Sequence, residues 1–223
     1  MRLQAYPDRA ALMAGLADVI AGALRATLAA QGRASLSVPG GTTPGPVFDL
    51  LAQADLDWAR VAVFLNDERW VPEDSPRSNT RLLRERLLQS RAAAAQLVPL
   101  YAAGDLPEPH LAGLSAGIAP HLPISVLLLG MGADMHTASL FPGADRLADA
   151  FAPDAPILMA LRAAAAGEPR ITLSARVLAA ADHIHVLITG ADKRAALDRA
   201  LTLTWAEAPI TAVLDRAVVH WAD

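Results

Sequence analysis

Short apolar runs alternate with longer segments of helical periodicity along this chain of 223 residues. Four of the short runs, residues 35–38, 61–65, 125–129 and 183–188, have the length of strands, and a glycine-containing or polar turn follows each. Buried strands that alternate with helices are typical of a parallel sheet covered on both faces. The pattern therefore predicts the α/β class, a three-layer Rossmann-like domain with a mostly parallel central sheet.

The segments between these strands predict helices. Residues 10–30 repeat alanine and leucine at helical spacing, Asp8 can cap the amino end, and Gly32 can stop the carboxyl end. A second helix is predicted over residues 44–53. A third is predicted over residues 79–95, where leucines recur at helical spacing.

Composition narrows the class of protein. Hydrophobic residues make up 53% of the chain, which is enough apolar surface to offset the entropy cost of folding and excludes global disorder. No internal repeat and no linker-like segment divides the sequence, so we expect residues 1–223 to form a single domain. The chain has no cysteine, which excludes disulfides, thiol nucleophiles and cysteine-bound metals.

Charge and hydropathy bear on location and partners. The net charge is −4 and the pI is about 5.8, whereas nucleic-acid-binding surfaces have a basic excess. The apolar stretch of residues 10–30 contains Asp18 and Arg25, charges that a secretory or membrane segment tolerates poorly. We therefore expect a cytoplasmic protein that binds neither nucleic acid nor membrane and that is a monomer or a weak homodimer.

The ends of the predicted strands carry the candidate chemistry, because ligands of open α/β sheets bind beyond the carboxyl ends of the strands. After the first strand, Gly40 and Gly41 allow a close approach of the backbone, and Thr42 and Thr43 offer hydroxyl groups. Free backbone N–H groups in such a turn favour an anion such as phosphate. A Gly-Gly turn is also common between an ordinary strand and helix, so this segment does not by itself identify a site.

Two further strand ends bring in groups for acid–base chemistry. Asp67 and Arg69 follow the second strand: a carboxylate can exchange protons or accept from sugar hydroxyls, and a guanidinium binds carboxylate or phosphate. A solvated loop with a local ion pair would have the same composition. His136 follows the third strand in a glycine-rich turn, and a histidine can both accept and donate a proton near neutral pH. Asp134, two residues earlier, could orient the ring or a water molecule.

Cations mark the fourth strand end. Lys193 is the only lysine of the chain and lies near the amino end of a predicted helix, where the helix dipole disfavours a positive charge. We therefore interpret it as an anion ligand. Arg170, upstream, is a candidate second cation or an ordinary surface arginine. His183 and His185 are spaced like a metal pair, but no third ligand is evident, so a structural role is expected and no metal site is predicted.

These segments, in this order, resemble the 6-phosphogluconolactonase family, whose wider group includes glucosamine-6-phosphate deaminase. The resemblance spans nearly the whole chain. It implies a carboxylic ester hydrolase that converts 6-phospho-D-glucono-1,5-lactone to 6-phospho-D-gluconate in the oxidative branch of the pentose phosphate pathway. Its small-molecule partner would be this sugar-phosphate lactone, with no cofactor. The residues that carry the resemblance are Gly40-Gly41-Thr42-Thr43-Pro44, Asp67-Glu68-Arg69-Trp70-Val71-Pro72, Ser78-Asn79, residues 130–142, Arg170-Ile171-Thr172-Leu173 and Thr189-Gly190-Ala191-Asp192-Lys193.

The resemblance also implies roles for single residues. His136 would take a proton from the attacking water and later protonate the departing ring oxygen. Arg69 or a backbone N–H group would stabilise the oxyanion. Asp67 would contact sugar hydroxyls or help to place the water, and the division of roles among Asp67, Arg69 and Asp134 stays open. The implied phosphate ligands are Gly40, Gly41, Thr42, Thr43, Arg170 and Lys193.

Two alternatives stay open: a sugar-phosphate isomerase or deaminase on the same fold, and a non-catalytic sugar-phosphate sensor. The run of residues 137–142 after His136 resembles the lactonase branch rather than the deaminase branch. A sensor usually carries a DNA-binding module, for which this chain has no basic stretch. One residue departs from the family, because Met135 stands where glycine is commonest, and a positive φ there would strain it.

Overall fold

A parallel sheet of seven strands lies at the centre of the computed structural model, which describes residues 1–164 and 166–223. Every neighbouring pair of strands in this sheet is parallel. Both faces of the sheet are covered, because every residue of the strands Ala34–Val38 and Val61–Leu65 is buried. Numbered along the chain and given in their order across the sheet, the strands are β1 (Arg2–Ala5), β10 (Val218–Ala222), β9 (His183–Thr189), β6 (Val126–Gly130), β2 (Ala34–Val38), β3 (Val61–Leu65) and β5 (Gln96–Leu97).

Helices connect these strands and supply the outer layers, which confirms the predicted α/β class. The predicted second helix is shorter than expected at both ends, because Pro44 precedes its first residue and the chain turns after Leu51. Short 3-10 turns join several of the elements. In the described residues the helices are α1 (Arg9–Gln31), α2 (Gly45–Leu51), α3 (Asn79–Arg86), α4 (Leu111–Ile118), α5 (Leu147–Phe151), α6 (Ala175–Ala179), α7 (Ala191–Ala200) and α8 (Thr211–Leu214).

Helix α1 begins and ends where the sequence predicts. The Asp8 carboxylate accepts a hydrogen bond from the Ala11 N–H at 2.8 Å, which caps the amino end. Gly32 adopts a φ of 72°, and its N–H donates to the Leu28 carbonyl at 2.9 Å. By length and composition α1 could cross a membrane, but 44% of its apolar window is buried inside the protein, as in the core helix of a domain.

Helix α3 ends earlier than the predicted range of residues 79–95. Its last residue is Arg86, and a separate 3-10 turn covers Ser90–Ala94. Ser90 has a φ of 50°, a left-handed conformation that a continuous helix does not contain. Leu83 and Leu87 are both fully buried, so the apolar spacing persists up to the break and gives no sign of it.

A small antiparallel sheet begins where β3 ends, at a position where the sequence predicts a loop. Its strands are β4 (Asp67–Arg69), β8 (Arg170–Leu173) and β7 (Leu158–Leu161), in the order β4-β8-β7. Asn66 carries the chain from one sheet to the other: its carbonyl accepts from the Leu173 N–H at 2.9 Å, and its side-chain amide donates to the Leu128 carbonyl at 2.8 Å. The pairing places Arg69 opposite Arg170 in register.

Candidate active site

A cavity of about 370 Å³ lies where the four predicted strand ends meet. The glycine loop after β2, the strand β4, the turn after β6 and the start of α7 all contribute to its wall. This is the position that the open-sheet rule predicts. Of the predicted site residues, those that line the cavity are Gly40, Gly41, Thr43, Asp67, Arg69, His136, Arg170 and Lys193.

Thr42 and Asp134 do not line this cavity. Thr42 lies in the wall of a neighbouring, mostly apolar cavity between α1 and α2, together with Thr189. Thr43 lines both cavities, so the predicted threonine pair is divided between them. Asp134 lies behind His136 and contacts its ring.

The imidazole of His136 is held from two sides. Its Nδ1 lies 2.5 Å from Oδ1 of Asp134, and the ring packs on Phe141 with 4.3 Å between centroids. A Cβ added to Gly132 would lie 2.2 Å from the same Nδ1, so only glycine fits beneath the pair. No protein atom among the described residues is hydrogen-bonded to Nε2 of His136, which leaves that nitrogen available.

Met135 closes this turn in a left-handed conformation, with a φ of 66°. Its N–H donates to the Gly132 carbonyl at 3.0 Å, and its carbonyl accepts from the Ile210 N–H at 3.1 Å. The turn does require a positive φ, as the departure from the family's glycine suggested. For a residue with a Cβ this conformation costs roughly 1–2 kcal/mol, which the surrounding hydrogen bonds and packing must offset.

Asp67 projects from β4 into the cavity wall and is largely buried. Its Oδ2 accepts from the Ser139 hydroxyl at 2.6 Å. Its backbone carbonyl accepts from the side-chain amide of Asn79 at 3.2 Å. These contacts tie β4 to the turn that carries His136 and to the first turn of α3.

Glu68, the neighbour of Asp67, faces away from the cavity and is fully buried. Its carboxylate accepts from the backbone N–H groups of Arg69, Asn79 and Thr80, each at 2.7–2.8 Å. Burial raises the pKa of this carboxyl, and the hydrogen bonds from Asn79 and Thr80 oppose that shift. Glu68 therefore anchors the amino end of α3. The second acidic residue of the Asp-Glu-Arg run thus has a structural role.

Asn79 lines the cavity although sequence reasoning placed no role on it. A Cβ on Gly40 would lie 2.0 Å from Oδ1 of Asn79, so the glycine loop and α3 touch only because residue 40 has no side chain. The one available signal was its place beside Ser78 in the segments that carry the family resemblance. Phe141 is a second cavity residue that the sequence analysis missed.

Three cationic side chains line the cavity: Arg69, Arg170 and Lys193. Arg170 is nearly buried, its guanidinium carbon lies 5.9 Å from the centre of the Phe141 ring, and its Nε has no hydrogen-bond partner among the described residues. Burial lowers the pKa of this guanidinium, the charge of Asp67 opposes that shift, and the charge of Arg69 adds to it. Burial also lowers the pKa of the Lys193 ammonium, and the Asp134 carboxylate opposes that shift. An anion would relieve this concentration of positive charge.

The two histidines for which a structural role was predicted, His183 and His185, lie in different environments. His183 is exposed at the start of β9, whereas His185 is buried and its Nδ1 lies 3.1 Å from Nε2 of His220 on β10. The Tyr6 hydroxyl lies 2.9 Å from the other ring nitrogen of His220. Within residues 1–164 and 166–223, no group of three or more histidine, cysteine, aspartate or glutamate side chains is arranged to hold a metal ion.

Comparisons with known proteins agree with the observed fold. A family model described as glucosamine-6-phosphate isomerases/6-phosphogluconolactonase matches residues 7–221. The 6-phosphogluconolactonase of Rhizobium meliloti (strain 1021) is 41% identical over 225 residues, which cover 97% of each chain. That of Mesorhizobium japonicum is 43% identical over 224 residues, covering 98% of this chain and 94% of the relative.

The backbone is also similar to that of a solved member of the family. The crystal structure of a 6-phosphogluconolactonase from Shewanella baltica OS155 superposes with a TM-score of 0.96 at 34% identity, over 100% of this chain and 98% of that one. The match extends through every segment that contributes to the cavity. The chain therefore belongs to the glucosamine-6-phosphate isomerase/6-phosphogluconolactonase family.

Proposed function

We propose that this protein is a 6-phosphogluconolactonase, which hydrolyses 6-phospho-D-glucono-1,5-lactone to 6-phospho-D-gluconate in the oxidative branch of the pentose phosphate pathway. The observation that carries the proposal is that His136, oriented by Asp134 from behind, lines one cavity together with Arg69, Arg170 and Lys193. We further propose that residues 1–223 act as one cytoplasmic domain that needs no partner chain beyond a weak homodimer.

The phosphate of the substrate binds at the cationic side of the cavity. Lys193 and Arg170 supply positive charge, and the backbone of Gly40–Thr43 supplies N–H groups that donate to no protein acceptor among the described residues. Thr43 adds its hydroxyl, while Thr42, which lines the neighbouring cavity instead of this one, contributes only its backbone N–H group. Anchoring the phosphate holds the lactone carbonyl near His136 and lowers the entropic part of the barrier.

His136 acts as the general base. Asp134 engages Nδ1, which fixes the ring orientation and leaves Nε2 to take a proton from the attacking water. The water oxygen bonds to the lactone carbonyl carbon, and the carbonyl electrons move to oxygen. Collapse of this tetrahedral intermediate breaks the bond to the ring oxygen, which takes the proton back from the imidazolium.

Arg69 and Asp67 complete the chemistry. Arg69, whose Nη1 donates to the Arg77 carbonyl at 2.5 Å, is held at the cavity wall and stabilises the negative charge on the carbonyl oxygen. Such stabilisation is worth about 3 kcal/mol in comparable sites. Asp67 contacts the sugar hydroxyls or the attacking water. The net charge of −4 is small, and the local cluster of Arg69, Arg170 and Lys193 outweighs it at short range.

The test is the hydrolysis of freshly generated 6-phosphogluconolactone, coupled to 6-phosphogluconate dehydrogenase and corrected for spontaneous hydrolysis. We expect strong acceleration by the wild type and loss of most of it in His136→Asn. The matched control is His183→Asn, which alters an exposed histidine outside the cavity and should keep full activity. Turnover of glucosamine 6-phosphate without lactone hydrolysis would favour the isomerase or deaminase alternative, and binding without turnover would favour the sensor.

A further inference from the structure

Ser139 is fully buried and does not line the cavity, yet it contacts a residue that does. Its hydroxyl donates to Oδ2 of Asp67 at 2.6 Å, across 72 positions of the chain. We infer that Ser139 is a positioning residue, which fixes the Asp67 carboxylate in the orientation that the reaction uses. This inference rests on the proposed lactonase function.

The backbone of Ser139 is held by a hydrogen bond that does not involve Asp67. The Ser139 N–H donates to Oγ1 of Thr172 at 3.3 Å, and Thr172 in turn donates to the Leu173 carbonyl at 3.1 Å. Asp67 is paired with Thr172 on β8, and the backbone of Ser139 is hydrogen-bonded to the same threonine. The small sheet therefore fixes the position of Ser139 relative to Asp67.

One oxygen of Asp67 is used by this contact and the other is left for the substrate side. No protein donor among the described residues bonds Oδ1 of Asp67. A carboxylate rotates readily about its terminal torsion, and a single short charge-assisted hydrogen bond selects one orientation. Ser139 thereby fixes the plane of the Asp67 carboxylate, and with it the direction in which the free oxygen faces the sugar hydroxyls or the water.

The contact also joins two parts of the reaction centre. Ser139 belongs to the same turn as His136, and Asp67 belongs to β4 together with Arg69. The hydroxyl therefore sets the position of β4 against the turn that carries the general base. A displacement of a reacting group by about 1 Å can cost on the order of 10²-fold in rate.

Ser139→Ala keeps the volume of the site and removes only the donor. We expect kcat/KM for the phosphorylated lactone to fall by about tenfold or more, the range for a hydrogen bond to a charged group. The matched control is Ser37→Ala, because Ser37 is also fully buried but its hydroxyl has no hydrogen-bond partner among the described residues. That variant should keep wild-type kinetics.

A double-mutant cycle with Asp67→Ala separates positioning from a general structural role. If Ser139 acts through Asp67, Ser139→Ala should change kcat/KM less than twofold in the Asp67→Ala background. An equal loss in both backgrounds, or no loss in the wild-type background, would overturn the inference. Inactivity of the wild type would instead reject the proposed function, so the two failures are distinguishable.

A crystal structure of the Ser139→Ala variant gives a readout that needs no activity. We expect the Asp67 carboxylate to rotate out of its wild-type orientation, and an unchanged carboxylate would contradict the inference. Should Ser139→Ala not fold, as judged by its thermal unfolding, Ser139→Cys retains a weaker donor. Its kcat/KM should then fall by a smaller factor in the wild-type background and not at all with Asp67→Ala.

Discussion

His136 and Asp134 form a close pair, with 2.5 Å between Nδ1 of the imidazole and Oδ1 of the carboxylate. The same carboxylate oxygen accepts from the His136 backbone N–H at 3.2 Å, so Asp134 contacts both the backbone and the ring of His136. The ring is about one-third exposed, with 30% of its side-chain surface accessible, which leaves room for a substrate at its free edge. The proposed general base is thus oriented before any ligand arrives.

Replacing Asp134 should therefore reduce turnover more than substrate binding. In Asp134→Asn the amide no longer stabilises the imidazolium that forms in the transition state, and it can favour the wrong ring tautomer. We expect kcat to fall by at least tenfold with KM changed less than threefold, since Asp134 does not line the cavity. Steady-state kinetics measure both constants, and a loss confined to KM would argue against an orienting role.

Lys193→Ala should discriminate between phosphorylated and unphosphorylated lactones. The ammonium lies in the cavity wall and is the only lysine of the chain, so its removal deletes one charge from the proposed phosphate site. We expect KM for 6-phosphogluconolactone to rise by roughly tenfold or more, as for a lost charge-assisted hydrogen bond. The rate on unphosphorylated gluconolactone serves as the internal control, and an equal effect on both substrates would remove Lys193 from the phosphate site.

Met135→Gly should leave activity close to that of the wild type. Glycine relieves roughly 1–2 kcal/mol of left-handed strain, but it also loses the packing of the half-buried methionine and gains about 0.5–1 kcal/mol of unfolded-chain entropy. The opposing changes should keep the free energy of unfolding within about 1 kcal/mol of the wild type. Urea unfolding and kcat/KM measure the two effects, and a large gain in activity would show that methionine distorts the turn beside His136.

Glu68→Gln should destabilise the protein strongly although Glu68 is remote from the substrate. Oε2 of Glu68 accepts from the Thr80 N–H at 2.7 Å and from the hydroxyls of Ser78 and Thr80 at 3.1 and 2.8 Å. Both oxygens of the Glu68 carboxylate accept from donors, so the NH₂ group of a glutamine would face N–H or hydroxyl donors at one of these positions. Those buried donors would lose their acceptor. We expect a loss of about 3 kcal/mol in the free energy of unfolding.

The matched control for this prediction is Glu85→Gln. Glu85 forms an exposed pair with Arg81 on the same helix, at 2.8 Å, and such surface pairs contribute at most about 1 kcal/mol. Equal stability of the two variants in urea unfolding would mean that the buried carboxylate does not anchor α3.

The stability of the fold should decline in mild acid because of two buried histidines. Burial lowers the pKa of His185 from 6.5 to about 4, and it does the same for His220. Between pH 6.5 and pH 4 the unfolded chain binds more protons at these rings than the folded protein, so stability falls as the pH falls through this window. Each ring contributes at most about 1.4 kcal/mol per pH unit.

The measurement is the pH dependence of urea unfolding for the wild type, His185→Asn and His183→Asn. Removing His185 should flatten the dependence between pH 6.5 and pH 4. Removing His183, which is exposed on the same strand and whose charge lowers the pKa of His185 less than burial does, should change it much less. Identical slopes for all three proteins would contradict the assignment of acid sensitivity to the buried pair.

Local patterns in the sequence were sufficient to predict the strands of the central sheet that end at the cavity, the caps of α1 and most of the candidate site. These features depend on periodicity, on glycine and proline chemistry, and on the rule that parallel strands point their carboxyl ends the same way. Asp67, His136 and Lys193 could be brought together on that basis alone, before any distance was known. The strain at Met135 was predictable for the same local reason.

Other features depended on contacts between segments far apart in the chain. The antiparallel pairing of β4 with β8 places Arg69 beside Arg170, and nothing in either segment names its partner. The close approach of Asn79 to Gly40, the burial of Glu68 and the hydrogen bond from Ser139 to Asp67 are equally non-local. Local composition constrains backbone conformation, but the choice among possible long-range partners depends on how the whole core packs, and no short window of sequence contains that information.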